Sequence, residues 1–315
     1  MRLLTLAGRY ATAVMAVGVL LGLALPPLAR FASPLLVPTL VIPLALALVR
    51  LDWAGAAAWR RRPGVIVALV AFVLVVSPIA VRAITLVLVP LGLPEPLAQA
   101  LVLMAASSPI VSNVAIALVL GLDAPLAVVV VIASTALVPF TLPVAAEYLV
   151  GVELDLSVTE FMLRLAALVG SAFAAAAIIR RVVGQARIHA NRELIDGIAV
   201  LNLLLFGVAI MEGVTAYAFE RPGYVLLAIV AAYAFNLLLQ GAGAIAFRGL
   251  GPERAATAAL LVGNCNMGLV LVALSGRASF EVTVYFALAQ LPMYTLPALL
   301  RRWYARAARA GPPPG

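Results

Sequence analysis

Long runs of Leu, Val, Ala and Ile alternate along this chain with short breaks that carry Arg, Gly or Pro. A bilayer's hydrocarbon core takes about 20 apolar residues per helical crossing. By that measure the pattern predicts ten spans, near 10–28, 31–49, 64–84, 94–120, 124–148, 158–179, 194–217, 222–246, 253–275 and 279–300. Two of them are interrupted by polar, helix-breaking clusters. The fourth contains Ser107-Ser108-Pro109-Ile110-Val111-Ser112-Asn113, and the ninth Gly263-Asn264-Cys265-Asn266-Met267-Gly268. An unsatisfied backbone group at membrane depth costs several kcal/mol, so such segments persist only where they are buried in protein or line a wet cavity.

The interruptions fall at matching places. Each half holds five spans with the break in its fourth, and Asn113 and Asn266 lie 153 residues apart in a chain of 315. Because five is odd, the second half must enter the membrane from the opposite side, which makes the halves an inverted-topology repeat. The expected fold is an all-α polytopic membrane protein with ten transmembrane helices. It forms a single transmembrane domain over 1–315, with one repeat over 10–148, a second over 158–303 and a tail over 304–315 that ends in Gly311-Pro312-Pro313-Pro314-Gly315. By symmetry, the discontinuous fourth and ninth helices are expected to cross mid-membrane.

Composition narrows the class further. The chain is 65% hydrophobic and 11% charged, with a mean hydropathy of +1.16, which excludes an ordinary soluble domain. The net charge of +8 comes entirely with arginine, for there is no lysine. A basic balance can signal nucleic acid, but here the arginines are distributed by loop. If both termini are cytoplasmic, sixteen of the 21 fall on that side, among them Arg60, Arg61, Arg62, Arg180, Arg181, Arg301 and Arg302; Arg30, Arg82, Arg164, Arg221 and Arg277 are the remainder. The positive-inside rule therefore sets the orientation, in what is expected to be a bacterial inner (plasma) membrane. Arg2 and Arg9 before an apolar run imitate a secretory signal, yet Leu25-Pro26-Pro27-Leu28-Ala29-Arg30 offers no small-x-small cleavage site, so the first span is expected to be retained. The single cysteine, Cys265, excludes an intramolecular disulfide.

The segment from Ser107 to Pro143, with Ser112-Asn113-Val114, Gly121, Ser134-Thr135 and Pro139, together with Val262-Gly263, Asn266 and Gly268-Leu269, resembles the bile acid:sodium symporter family. That family belongs to a larger group with arsenite permeases and auxin efflux carriers. The resemblance implies a panel domain of spans 1, 2, 6 and 7, a core domain of spans 3–5 and 8–10, and a solute bound between them. It also implies sodium sites, of which Ser112, Asn113 and Asn266 would be a remnant. Other positions depart from the family pattern. Leu261 replaces a Glu, Cys265 replaces a Gln, a Gln expected in the third span falls near Val73, and the residues around Ala127 and Val131 are apolar where hydroxyls are expected. A hard cation wants oxygen ligands, preferably anionic ones, so two intact sodium sites are not expected.

Candidate solute- or ion-binding residues are Ser108, Ser112, Asn113, Asn264, Cys265, Asn266 and Gln290. Helix-to-helix hydrogen bonding is the competing explanation for each of the polar ones. An intramembrane carboxylate is a functional candidate by default, so Glu212 could couple protons, or it could be interfacial. Asn202, Asn236 and Gln240 could line a cavity or bond neighbouring helices, whereas Asp123, Glu147, Asp155 and His189 fall at span ends and are expected to be solvated. Nothing points to an enzyme or a cofactor. There is no His-Glu-x-x-His pair and no phosphate loop, and without lysine no retinal Schiff base can form. The expected partners are a small-molecule solute and the lipid bilayer, with sodium or a proton as the candidate coupling ion and no nucleic acid. The expected function is alternating-access transport of a small, anionic organic solute. Facilitated or proton-coupled passage, or ligand sensing on the same fold, are the alternatives.

The orientation is testable directly. Reporter fusions after Arg62 and Arg192 should read cytoplasmic and one at Asp155 external, and a cytoplasmic reading at Asp155 would overturn both the topology and the inverted repeat.

Overall fold

The computed structural model describes residues 11–50, 58–151, 157–274 and 277–310, and among them it is helical with no strand. Asp155 and the final Pro-rich residues lie outside that description. In chain order the helices are α1 (Ala11–Ala24), α2 (Pro26–Arg50), α3 (Pro63–Leu88), α4 (Glu95–Ala105), α5 (Asn113–Leu120), α6 (Ala124–Val150), α7 (Val158–Val183), α8 (Gln185–Ala190), α9 (Arg192–Glu220), α10 (Pro222–Ala246), α11 (Pro252–Gly263), α12 (Met267–Ala273), α13 (Phe280–Leu299) and α14 (Arg301–Arg309). Seven of these (α2, α3, α6, α7, α9, α10 and α13) are long and apolar enough to cross a membrane, and the chain is an integral membrane protein. The fourth and ninth expected spans appear as the short pairs α4/α5 and α11/α12, because their polar clusters divide them. The first ends at Ala24, short of the expected 28, because Leu25 leaves the helical conformation and Pro26 opens the next helix.

Local chemistry sets the helix ends. Pro26, Pro63, Pro222 and Pro252 open helices, where a missing amide hydrogen costs nothing. Asp123 caps α6 by accepting from the Leu126 amide at 2.9 Å, and Ser157 caps α7 by accepting from Glu160 at 3.1 Å. Gly121 ends α5 in the left-handed conformation, at φ 72°.

The helices fall into two sets. α1 and α2 pack against α9, and α2 also against α7; α3 packs against α4 and α6, α5 against α6, α10 against α11, and α13 against α4 and α10. The sets meet where α6 lies on α7, α13 on α1, and α12 on α2 and α7. Most of α13 is buried and most of α7 is not, which places α13 at the centre and α7 at the periphery. Exposed Phe31, Val119, Tyr148, Val182 and Phe219 provide an apolar outer surface suited to lipid.

The ends are tied by polar groups. Asp123, expected to be solvated, is instead mostly enclosed: it pairs with Arg254 at 3.3 Å and accepts from Trp59 Nε1 at 3.3 Å, while its own amide donates to Thr257 Oγ1 at 3.1 Å. The turn between α5 and α6 is thereby fastened to the start of α11. Within a hydrophobic bundle a carboxylate that cannot reach bulk water must be paired, and the sequence separation of 131 residues hid the partner.

Gly18 and Gly22 let α1 approach α9 closely. A Cβ on Gly18 would come within 2.5 Å of the Leu204 carbonyl oxygen, and one on Gly22 within 2.7 Å of that of Val208. Small residues four apart are a recurrent means of close helix contact in membranes. Gly18→Leu should therefore destabilise the bundle by about 1–3 kcal/mol through overpacking, read as a lower unfolding temperature in detergent. Gly170→Leu, whose Cβ meets nothing within 4 Å, should not; equal effects would contradict the close contact.

Candidate functional site

The two interruptions lie against each other. After α4 ends, the Ser107 hydroxyl donates back to the Met104 carbonyl at 2.9 Å, and Pro109 has no amide hydrogen with which to continue the helix. The backbone then runs alongside residues 264–266 as a short antiparallel bridge between Pro109 and Cys265. The Ile110 amide donates to the Asn264 carbonyl at 2.9 Å, and the Asn266 amide donates to the Ser108 carbonyl at 2.7 Å. Backbone groups released by breaking one helix are satisfied by those released from the other, as burial away from water requires.

Side chains reinforce the bridge. Asn113 Nδ2 donates to the Asn264 carbonyl at 3.1 Å, while Asn264 Nδ2 donates to Asn113 Oδ1 at 3.2 Å. Asn236 Nδ2 on α10 donates both to the Gly263 carbonyl at 2.9 Å and to Asn264 Oδ1 at 3.2 Å. Gln240 Nε2, one turn along α10, donates to Asn236 Oδ1 at 2.6 Å. All four amides are buried. Gly263 makes room for them: a Cβ there would lie 2.3 Å from Gln240 Cγ and 3.0 Å from the Asn236 carbonyl oxygen.

Of the residues singled out in the sequence, Ser108, Asn113, Asn264, Cys265 and Asn266 come together here. Asn266 Oδ1 caps α12 by accepting from the Leu269 amide at 3.2 Å. Ser108 Oγ accepts from Thr135 Oγ1 on α6 at 3.4 Å, and Cys265 Sγ faces the Val262 carbonyl at 3.5 Å, with the residue 2% exposed. Ser112 precedes α5, and its hydroxyl is buried without a hydrogen-bonding partner in the protein; so are Ser134 Oγ on α6 and Gln290 Oε1 on α13. Gln290 Nε2 donates only to the Phe286 carbonyl of its own helix, at 3.3 Å. Buried oxygens of this kind ordinarily find a polar partner, which makes these three the candidates for contact with water, an ion or a solute.

Other candidates lie elsewhere. Glu212 is exposed, in the interruption of α9 beside Gly213. Asn202 is bonded to its own helix at the Ile198 carbonyl, and His189 and Glu147 are exposed. Asn236 and Gln240, for which the sequence left cavity lining and helix-to-helix bonding open, are central and bond the crossing. Their i, i+4 spacing on one helix face was the available signal. No sequence signal marks Tyr304, yet its hydroxyl donates to Gln240 Oε1 at 2.6 Å.

A second polar feature lies between the two helix sets. A cavity of about 540 Å³ is lined by Pro94 and Pro96 at the start of α4, Tyr217 on α9, Arg221, Tyr224 on α10 and Glu281 on α13. Tyr217 donates to Glu281 Oε1 at 3.4 Å and Tyr224 to the Glu281 carbonyl at 3.0 Å. Among the described residues no group of three or more His, Cys, Asp or Glu side chains could hold a metal ion. No family model matches the chain, and no curated protein matches it.

Proposed function

We propose that this protein is a secondary transporter of a small organic anion that works by alternating access, built as ten spans in two inverted five-helix repeats. The observation that carries the reading is the mutual pairing of two broken helices from the two halves of the chain. Interrupted helices in corresponding positions are where secondary transporters bind their solutes. In both halves the helix resumes at an asparagine, Asn113 as the first residue of α5 and Asn266 as the cap of α12.

The helix sets supply the two bodies that alternating access needs. α1, α2, α7 and α9 correspond to the panel, and α3–α6 with α10–α13 to the core. The cavity at Arg221 lies between them, and its guanidinium would attract an anion approaching from outside. Ser112, Ser134 and Gln290 offer oxygens to the solute's polar groups or its water. Resemblance to the bile acid:sodium symporter family supports the same reading at the level of the breaks.

Sodium has little to hold it. Val73, Ala127, Val131 and Leu261 are all buried in the apolar core, which supports the reading that hydrocarbon surrounds the places where the resemblance implies oxygen ligands. Asn113 Oδ1 and Asn266 Oδ1 already accept hydrogen bonds, and Ser112 alone contributes an unengaged oxygen to the remnant site. Glu212, if it couples protons, would act from outside the crossing.

Counterflow of labelled organic carboxylates in proteoliposomes tests the proposal. Exchange should occur, be abolished by Asn113→Ala and by Asn266→Ala in folded protein, and be unchanged when potassium replaces sodium. Saturable binding without counterflow would make the protein a ligand sensor, and counterflow untouched by either variant would separate transport from the crossing.

A further inference from the structure

The amides at the crossing continue outward in a single row that ends on the C-terminal helix. Tyr304 Oη donates to Gln240 Oε1, Gln240 to Asn236 Oδ1, Asn236 to Asn264 Oδ1 and Asn264 to Asn113 Oδ1, over distances of 2.6, 2.6, 3.2 and 3.2 Å. Every member is at most 4% exposed. The row has one direction, each oxygen accepting and each nitrogen donating toward the crossing. That direction is fixed by acceptors that cannot turn, the Gly263 and Asn264 carbonyls, which take Nδ2 of Asn236 and of Asn113. Inverting any one amide would set oxygen against oxygen at its neighbour. With the amides so aligned, Gln240 Oε1 is left facing α14, and the Tyr304 hydroxyl is the donor that completes it.

The helix carrying that hydroxyl is built to lie where it does. In Arg301-Arg302-Trp303-Tyr304-Ala305-Arg306-Ala307-Ala308-Arg309 the four arginines share one exposed face, and Tyr304, fully buried, lies opposite with Ala307 and Ala308. α14 packs against α11, which leads into one break, and against α5, which leads out of the other. The Ala308 methyl lies 3.6 Å from where a Cβ on Gly121, at the end of α5, would stand. A segment that looked like the start of a tail therefore touches both halves of the crossing, and reaches its centre through four amides.

We propose that α14 is a latch on the crossing and Tyr304 its positioning residue: with Tyr304 inserted the row is complete and the broken helices are held together, and withdrawing α14 orphans a buried oxygen and loosens them. The latch gives the arginine-bearing surface outside the bundle a physical route to the candidate site. Its consequence for transport rests on the carrier reading, but its existence does not.

Cys265 lies within the crossing and is the only cysteine in the chain, so its rate of labelling by a maleimide in the full-length protein, reconstituted in liposomes without any solute, reports opening of the crossing. Tyr304→Phe should raise that rate about tenfold, the scale of one lost buried hydrogen bond. Ala308→Leu, which wedges α14 away from α5 and leaves the row's own atoms in place, should raise it as well. The effect of Tyr304→Phe should vanish in a Gln240→Leu background, because the two changes break one row. Leu165→Ala, buried in α7 and outside the row, should leave the rate unchanged even where it lowers the unfolding temperature equally. Unchanged labelling in both Tyr304→Phe and Ala308→Leu, full additivity with Gln240→Leu, or equal acceleration by Leu165→Ala would each overturn the latch. Because no solute is involved, failure of transport with labelling as described would remove the carrier reading and leave the latch standing.

Discussion

Two broken helices at the centre of an apolar bundle must satisfy their backbone groups without water, and here each does so with the other. The Ile110 and Asn266 amides and the Asn264 and Ser108 carbonyls form the shared bridge. If either strand left, both would carry unpaired donors and acceptors, at several kcal/mol per group in a lipid-like interior. That reciprocity explains why the polar residues cluster where they do. Asn113 and Asn264 pair across the bridge, and Asn236 and Gln240 complete the hydrogen bonding on the α10 side.

The same constraint shapes the packing around it. Gly263 must be glycine-sized for α10 to bring its amides against the Gly263 carbonyl, and Gly243 on α10 allows the same two helices to close lower down, where a Cβ would meet the Ala258 carbonyl oxygen at 3.0 Å. The Asp123 cluster fastens the start of α11 to the turn after α5, so the two interrupted helices are joined at their ends as well as at their breaks. The crossing belongs to one helix set, which meets α1, α2 and α7 along α6, α12 and α13, and that boundary is the division that the proposed alternating access would exploit.

Much of this was legible in the residues. Apolar runs of bilayer length gave the long helices, and Pro109 with the Gly-Asn cluster marked both breaks, because a missing donor and a flexible backbone act locally. What stayed hidden was pairing over long separations. Nothing in the sequence near Asp123 points to Arg254 or Trp59, nothing near Gln240 points to Tyr304, and a nine-residue segment dominated by arginine and alanine reads as surface until its one tyrosine is found inside. Asn266 was legible as a break residue, but its role as the cap of α12 depends on where the helix resumes.

The pairing of the breaks can be measured with the native thiol. Pro109 and Cys265 are bridge partners, and paired residues on adjacent antiparallel strands have Cα atoms about 4.5–5.5 Å apart, within the span of a disulfide. Pro109→Cys in otherwise unaltered protein, oxidised mildly in the membrane, should lose both thiols to one intramolecular bond, while a cysteine at lipid-facing Leu137 should leave Cys265 free. Two free thiols in folded, oxidised Pro109→Cys protein would contradict the pairing on which the site depends.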